Sequence, residues 1–325
     1  MKLNALGKTG IKVTEISLGT LIMGKRQANI TVEEGAIVVK KAVELGINFI
    51  DTAARYDTQN HIREGLKGFR DKVVLSTKTR EAKRELARKD FETSLKELNV
   101  EYIDVYQLHL VDGEADLVTR REALDLLVEY KERGLIKAIG ASVHKVAGAR
   151  AVVAHPSIDV LFPVLNSPGL GILDGSMEDM IDVCRRAKLR GMGLMAMKPL
   201  AGGHLRESPK EAFDFLKRLE MVDTICVGMK SVAEVDMNIS LFEGRPVSKE
   251  TLAQIETVPR RLLPTIACKG CGTCIEACDQ RALSVDVSKA DESQGKKGHA
   301  VVDYDKCILC GYCAEACPQF ALRIV

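Results

Sequence analysis

The sequence predicts an α/β chain: a closed (β/α)8 TIM barrel followed by a small α+β, cysteine-rich module. Three observations carry this. Eight short apolar runs alternate with amphipathic stretches between Glu15 and Phe242. The runs are apolar on both faces, as parallel strands covered by helices are. Beyond Pro264 the composition shifts to cysteine and glycine, and one cysteine pattern occurs twice.

Taken in order, Leu3–Thr9 and Ile11–Val13, joined around Thr9-Gly10, read as a hairpin ahead of the barrel. The first four strands are expected at Ile16–Gly19, Phe49–Thr52, Val73–Thr77 and Ile103–Leu108. Ile136–Ser142, Val160–Leu165, Gly193–Met197 and Thr224–Gly228 complete the eight. Helices fall between them. Thr31-Val32-Glu33-Glu34 is a capping box, in which an N-cap hydroxyl and a carboxylate three residues on satisfy each other's backbone donors. Phe91, Leu95 and Leu98 share one helical face, as do Leu124, Leu127 and Val128. Ser208-Pro209 is an N-cap followed by proline at the first helical position, and Ala233–Phe242 is the eighth helix. An open doubly wound sheet is the competing arrangement, but its glycine fingerprint after the first strand is missing. Pro259–Pro264 reads as a boundary, with the barrel expected over residues 1–258 and the module over 259–325.

Hydrophobic content of 46% suffices for a sizeable core, and a net charge of +2 argues against a nucleic-acid partner. No apolar run reaches the ~20 residues of a membrane span, and Met1-Lys2-Leu3-Asn4 opens no signal peptide. The expected location is therefore the cytoplasm, without membrane association. Clustered cysteines there point to metal binding, since disulfides are rare in that compartment.

Cys268, Cys271, Cys274 and Cys278 form one C-x2-C-x2-C-x3-C run. Cys307, Cys310, Cys313 and Cys317, followed by Pro318, form the other. The copies also match at Gly272/Gly311, Glu276/Glu315, Ala277/Ala316, Gln280/Gln319 and Ala282/Ala321. Ser288–Gly298 between them is polar and expected to be an exposed loop. Zinc, the alternative for C-x2-C pairs, takes its ligands from two separated pairs. The segment Ala267–Val325 resembles the bacterial two-cluster ferredoxins, in which the fourth cysteine of each run crosses to the other cluster. That resemblance implies two [4Fe–4S] clusters, one held by Cys268, Cys271, Cys274 and Cys317, the other by Cys307, Cys310, Cys313 and Cys278. Asp279 stands where the second run has Pro318.

In the barrel, Asp51, Tyr56, Lys78 and His109 sit at or just beyond the C-terminal ends of successive strands, the face where such barrels build active sites. Each alone has a structural explanation; four in register at one mouth point to chemistry. A phenol beside a carbonyl oxygen can donate a proton as hydride reaches the carbon. Lys78 is expected to draw the Tyr56 phenol down toward working pH, with Asp51 holding Lys78 and His109 bonding a substrate oxygen.

The segments ALGKTGIKVTEISLGT, DTAARY, STK, DVYQLHL and IKAIGAS occur in the order and spacing of the aldo-keto reductases, which the chain resembles over about residues 3–242. The resemblance implies reversible carbonyl reduction with a nicotinamide cofactor, usually NADPH. It carries the catalytic roles to Asp51, Tyr56, Lys78 and His109. Gly19 and Thr20 would lie at the cofactor from the first strand. Gly228, Lys230 and Ser231 would meet a phosphate, Asn238 and Glu234 the adenine, and Ser142 the nicotinamide amide. At three other nicotinamide-holding positions this chain departs from the family: Val143 replaces asparagine, Phe162 glutamine, and Met197-Lys198 the stacking tyrosine. The iron–sulfur module takes the place of the family's C-terminal substrate loop and is expected to cover the barrel mouth.

The leading expectation is an oxidoreductase acting on a small carbonyl or alcohol, coupled to electron transfer through two clusters and to a redox partner protein. Hydride moves two electrons and a cube accepts one, so a flavin, with or in place of NADP(H), is the alternative linker. A carrier subunit with a non-catalytic barrel is a third reading, and purely structural clusters a fourth. Cys184 and Cys226 read as buried small hydrophobes. His144, just past the fifth strand, belongs to no ligand spacing.

Overall fold

The computed structural model describes residues Met1–Val325. Strands β1 (Leu3–Ala5) and β2 (Lys12–Thr14) pair antiparallel as the expected hairpin. Eight parallel strands then close into a barrel: β3 (Ile16–Gly19), β4 (Phe49–Asp51), β5 (Val74–Thr79), β6 (Ile103–Leu108), β7 (Ile136–Val143), β8 (Val160–Pro163), β9 (Gly193–Met197) and β10 (Thr224–Gly228). β10 closes on β3 with Ile225 opposite Ile16 and Gly228 opposite Gly19.

Helices α1 (Val32–Glu44), α2 (Gln59–Gly65), α3 (Arg84–Leu98), α4 (Glu114–Thr119), α5 (Arg121–Glu132), α6 (Val146–Ala154), α7 (Met177–Leu189), α8 (Pro209–Lys217) and α9 (Val232–Phe242) surround it. The Thr31–Glu34 capping box forms at α1, a cap of about 1 kcal/mol. Ser208 stands at the N-cap of α8 without a side-chain bond, and Pro209 begins that helix. Helix α10 (Lys249–Thr257) was not expected. None of its residues is buried, so it carries no apolar stripe to read, although Ser248 caps it by accepting from Thr251 N.

Strand parity sorts the interior. Ile50, Tyr106 and Leu161 point outward into the layer beneath the helices. Phe49, Val105, Ala138, Val160, Met195 and Cys226 point inward, where Leu6, Ile11 and Val13 of the hairpin join them. Two residues further along each strand the same inward face carries Asp51, Gln107 and Phe162, one level nearer the mouth. The barrel floor is therefore mostly apolar, and Asp51 and Gln107 enter the inner face toward the mouth, which is what places chemistry at the C-terminal end.

The C-terminal module has two short antiparallel pairs. β11 (Leu262–Pro264) pairs β14 (Leu322–Ile324), and β12 (Leu283–Asp286) pairs β13 (His299–Val302). One-turn helices α11 (Thr273–Glu276) and α12 (Tyr312–Glu315) lie inside the two cysteine runs. The segment 288–298 is not a plain loop: it holds two 3-10 turns, begun by Asp286 and Asp291 accepting from Ser288 N and Ser293 N.

The module seats on one side of the barrel mouth. Phe320, 2% exposed, lies against Gly171 in the loop after β8. Gly203, at φ 92°, lets β14 pass so closely that a Cβ there would stand 2.4 Å from Ile324 O. His204 Nε2 donates to Leu322 O at 3.1 Å, and Arg206 donates to Leu309 O at 3.4 Å. No helix of the protein is long and apolar enough to cross a membrane.

Candidate active site and cluster sites

Asp51 ends β4 opposite Ser76, and Lys78 lies opposite Gln107 on β6. Adjacent strands thus deliver a carboxylate, an ammonium and an amide to one inner layer. Lys78 Nζ is buried and donates to both Asp51 oxygens, at 2.7 and 2.6 Å, and to Thr52 O at 2.7 Å. Ser76 Oγ also donates to Asp51 Oδ1 (2.9 Å), and Gln107 Nε2 to Ser76 Oγ (2.6 Å). Burial raises the Asp51 carboxyl above its ordinary range, opposed by Lys78 and Ser76. A pair of this kind is held by geometry, because removing either partner strands a buried charge. Ser76 and Gln107 were not picked out in the sequence. Their signal was parity: each lies two residues before a site residue, Lys78 or His109, on the same inward face.

Tyr56 sits in a 3-10 turn, Ala54–Tyr56, after β4. A Cβ at Gly24 would stand 2.2 Å from Tyr56 O, so only glycine lets this turn settle against the loop after β3. The phenol comes 3.4 Å from His109 Nε2, the rings meeting edge to face at 5.6 Å. Lys78 Nζ lies 5.2 Å from the Tyr56 ring centre and 5.3 Å from that of Phe162.

The expected lowering of Tyr56 by Lys78 does not occur. Burial first, then Asp51 and Cys226, push the phenol well above its ordinary value, and only Arg80 draws it down. Lys78 is tied to Asp51, so its charge is balanced locally. Tyr56 is therefore a neutral donor. His109 is held neutral as well: burial, then Lys78, Arg80, Arg120 and Arg55, lower it well below its usual range. Its Nδ1 is buried without a partner. Two uncharged polar tips, Tyr56 Oη and His109 Nε2, thus converge on one point.

The residues assigned to a cofactor are more dispersed. Gly19 faces Cys226 Sγ, and Gly228 is exposed at the end of β10. Thr20 is fully buried, its hydroxyl bonded to Asp51 O (3.1 Å) and Thr58 Oγ1 (2.8 Å). Ser142 Oγ accepts from Leu110 N at 2.9 Å. Ser231 caps α9 by accepting from Glu234 N. Asn238 is buried and its Oδ1 has no partner. Lys230 and Glu234 are engaged by the chain itself: Lys230 Nζ donates to Pro259 O (2.9 Å), and Arg260 pairs with Glu234 at 3.4 Å. Pro259 and Arg260 were read only as a boundary, and nothing local in the sequence signals this contact. The residues fit the nucleotide end of a dinucleotide, with Lys230 and Glu234 now held by the linker. The nicotinamide end is altered: the Phe162 ring stands 5.3 Å from Lys78 Nζ, and Lys198, at φ 58°, bonds His144.

In the module the cysteines gather as two four-sulfur sets. Burial, then Cys317, Cys268 and Cys271, push the Cys274 thiol up to about 11. Burial, then Cys310, Cys274, Cys307 and Cys278, push Cys313 up to about 12. A void is lined by Cys268, Cys271, Cys274 and Cys317 together. Each set takes its fourth member from the other run, in the crossed arrangement. Backbone donors already point at sulfur: Ala282 N at Cys278, Ala321 N at Cys317 and Ala300 N at Cys268, each at 3.3 Å. No three side chains close tightly enough for a single metal ion, whereas a cube holds its four thiolates apart. The donor sets fit iron–sulfur cubes. Cys184 and Cys226 are buried in the barrel, away from both sets.

Comparison with known proteins agrees. The model of the aldo/keto reductase family matches residues 15–218, and that of the 4Fe-4S dicluster domain residues 267–321. Among curated relatives, L-galactose dehydrogenase of Arabidopsis thaliana is 24% identical over 79% of this chain and 94% of its own. The aldo-keto reductase YhdN of Bacillus subtilis is 34% identical over 44% of this chain, which spans about half (47%) of that relative. Among solved structures, a putative aldo-keto reductase from Pseudomonas aeruginosa superposes with TM-score 0.64 at 25% identity, over 74% of this chain and 93% of that one. With its barrel and its paired cysteine runs both matched, the chain is an oxidoreductase that belongs to the aldo/keto reductase family and carries a C-terminal iron–sulfur domain.

Proposed function

We propose that this oxidoreductase interconverts a carbonyl and an alcohol on a small molecule at Tyr56, Lys78, Asp51 and His109, coupled to electron transfer through two [4Fe–4S] clusters. The observation that carries the reading is the convergence of two neutral groups, Tyr56 Oη and His109 Nε2, 3.4 Å apart beside the buried Lys78–Asp51 pair. A carbonyl oxygen between them would accept from both. Tyr56 would give its proton to that oxygen as the carbon is reduced, and take it back in the reverse direction. The Lys78 ammonium, 5.2 Å from the Tyr56 ring centre, would attract the phenolate left behind, against the opposing Asp51 carboxylate. The relatives' names, a dehydrogenase and a methylglyoxal reductase, span both directions of such a couple.

A nicotinamide, when bound, supplies hydride to such a site. Gly19, Gly228, Ser231 and Asn238 would hold its nucleotide, with Lys230 and Glu234 joining once released from Pro259 and Arg260, and Ser142 near the amide. Thr20 would act from beneath, through Asp51 and Thr58. A flavin, with NADP(H) or instead of it, is a second reading. The three altered nicotinamide positions and the need to split electron pairs for one-electron clusters favour it. In the module, Cys268, Cys271, Cys274 and Cys317 would bind one cube, and Cys307, Cys310, Cys313 and Cys278 the other. Cys271 and Cys310 are exposed, which suits exchange with a redox partner protein. We take residue 259 as the start of this domain.

Two measurements test the proposal. Protein purified without oxygen, then denatured, should release either a flavin or bound NADP(H), or turn over a carbonyl only when one of them is added. Tyr56→Phe should lower turnover by roughly 10²- to 10⁴-fold with the clusters intact. Unchanged turnover in that variant would leave a carrier with a non-catalytic barrel.

A further inference from the structure

At the barrel mouth, opposite the turn that carries Tyr56, stand two cations that no carboxylate balances. Lys198 follows β9 in the left-handed conformation, φ 58°. Its carbonyl accepts from Asn166 Nδ2 at 3.2 Å and from Ala201 N at 2.9 Å, which fixes the backbone. Its side-chain nitrogen has one hydrogen-bond partner, His144 Nε2 at 3.1 Å, and burial, then Arg323, push the amine well below its ordinary range, so that it holds its proton firmly only beside an anion. Arg323, from β14 of the iron–sulfur domain, lies 3.9 Å over the face of Phe320, and Lys198 lies 5.2 Å from the same ring. Arg323 Nη1 is buried without a partner. Neither side chain is wholly enclosed: Lys198 and Arg323 are each half-buried.

The surroundings add no anion from the barrel. His144 feels Lys198, Arg323, His109 and Arg80, and His109 feels Lys78, Arg80, Arg120 and Arg55. Asp51 is matched by Lys78, Arg120 pairs with Asp116, and Arg55 with Glu81. The one negative group that bears on Arg323 is Cys317, a ligand of the proposed first cluster, and it makes no hydrogen bond to Arg323 Nη1. Stacking on Phe320 explains why Lys198 and Arg323 lie here. It does not explain why two like charges meet with a guanidinium nitrogen left unbonded, a costly arrangement unless an anion completes it.

We propose that Lys198 and Arg323 bind the anionic group of the substrate, a carboxylate, with His144 between that group and His109. The substrate would be a short oxo acid or the matching hydroxy acid. Naming its carbonyl rests on the Tyr56 reading; the anion site does not. Because Arg323 belongs to the iron–sulfur domain and Lys198 to the barrel, the bound anion bridges the two and is complete only when they are docked.

The test uses the anaerobic holoprotein and calorimetric titration with succinate, an unreactive dicarboxylate, and separately with inorganic phosphate and diphosphate. Succinate should bind, about tenfold or more weaker in Lys198→Met and Arg323→Met and nearly unchanged in Lys198→Arg. In turnover, kcat/KM for an oxo acid should fall in the Met variants by a similar factor relative to a neutral aldehyde of the same length. Should either variant lose its clusters, the wild type still decides: succinate should slow acylation of Lys198, mapped by mass spectrometry. Absence of succinate binding, equal binding in both Met variants, or no protection of Lys198 would overturn the inference. Binding of diphosphate but not of succinate would overturn it too, assigning the cations to a nucleotide. Succinate binding that depends on Lys198, in a protein that reduces no carbonyl, would uphold the anion site and sink the Tyr56 reading instead.

Discussion

Lys78 and Asp51 set the terms at the residue scale. Their pair is buried, and Ser76, Gln107 and Thr52 complete its bonds. Lys78→Met should strand the Asp51 carboxylate and cost about 3–5 kcal/mol, read as a lower urea midpoint with unchanged slope. His109 gives a pH signature. Its folded value lies well below the ordinary 6.5, so between the two the unfolded chain binds the proton and the folded chain does not. Stability therefore rises with pH across that window and is lost as pH falls below about 6.5, by up to about 1.4 kcal/mol per pH unit. Calorimetric unfolding at pH 7 and pH 5.5 should show a smaller drop in His109→Gln than in the wild type. Acid damage to the clusters is common to both proteins, so the difference isolates the imidazole.

Two elements invite separate tests. The linker at Pro259–Arg260 lies over the start of α9 and holds Lys230 and Glu234. Arg260→Ala should release the linker from Glu234, which keeps its bond from Lys230 N (2.7 Å), and tighten NADPH binding several-fold, on the order of 1 kcal/mol, measured by nicotinamide fluorescence. Unaltered affinity would mean that the linker does not compete with a nucleotide. In the module, the proposed sets have each run lend its last cysteine to the other. Cys317→Ala should therefore remove the cluster of the first run, and Cys278→Ala that of the second, each leaving about four of eight iron atoms per chain. Electron paramagnetic resonance of the reduced variants should then show two different single-cluster spectra. Uncrossed sets would give the opposite assignment.

For the whole molecule, Phe320 of the iron–sulfur domain lies between the loops after β8 and β9. Phe320→Ala should weaken docking by about 3–5 kcal/mol and expose the segment around residues 244–261 to limited proteolysis, with both clusters retained. Loss of the clusters along with docking would instead make Phe320 part of the domain's own core.

Much of this architecture was legible in the sequence. The eight barrel strands follow from apolar runs, because parallel strands buried on both faces tolerate little else. The cysteine runs were legible through spacing, a local property, while their crossed sets were implied only by the resemblance to two-cluster ferredoxins. Asp51, Tyr56, Lys78 and His109 could be singled out because each lies at the C-terminal end of a strand or a few residues beyond it. What the sequence could not reveal depends on approach in space. The raised Tyr56 phenol follows from burial and from Lys78 being bound to Asp51, neither visible in residue order. The engagement of Lys230 by Pro259, and the meeting of Lys198 with Arg323 around Phe320, join positions far apart in the chain. Such contacts leave no periodicity or spacing. They arise only when the second domain folds back onto the mouth of the first, where close packing decides which charges face one another.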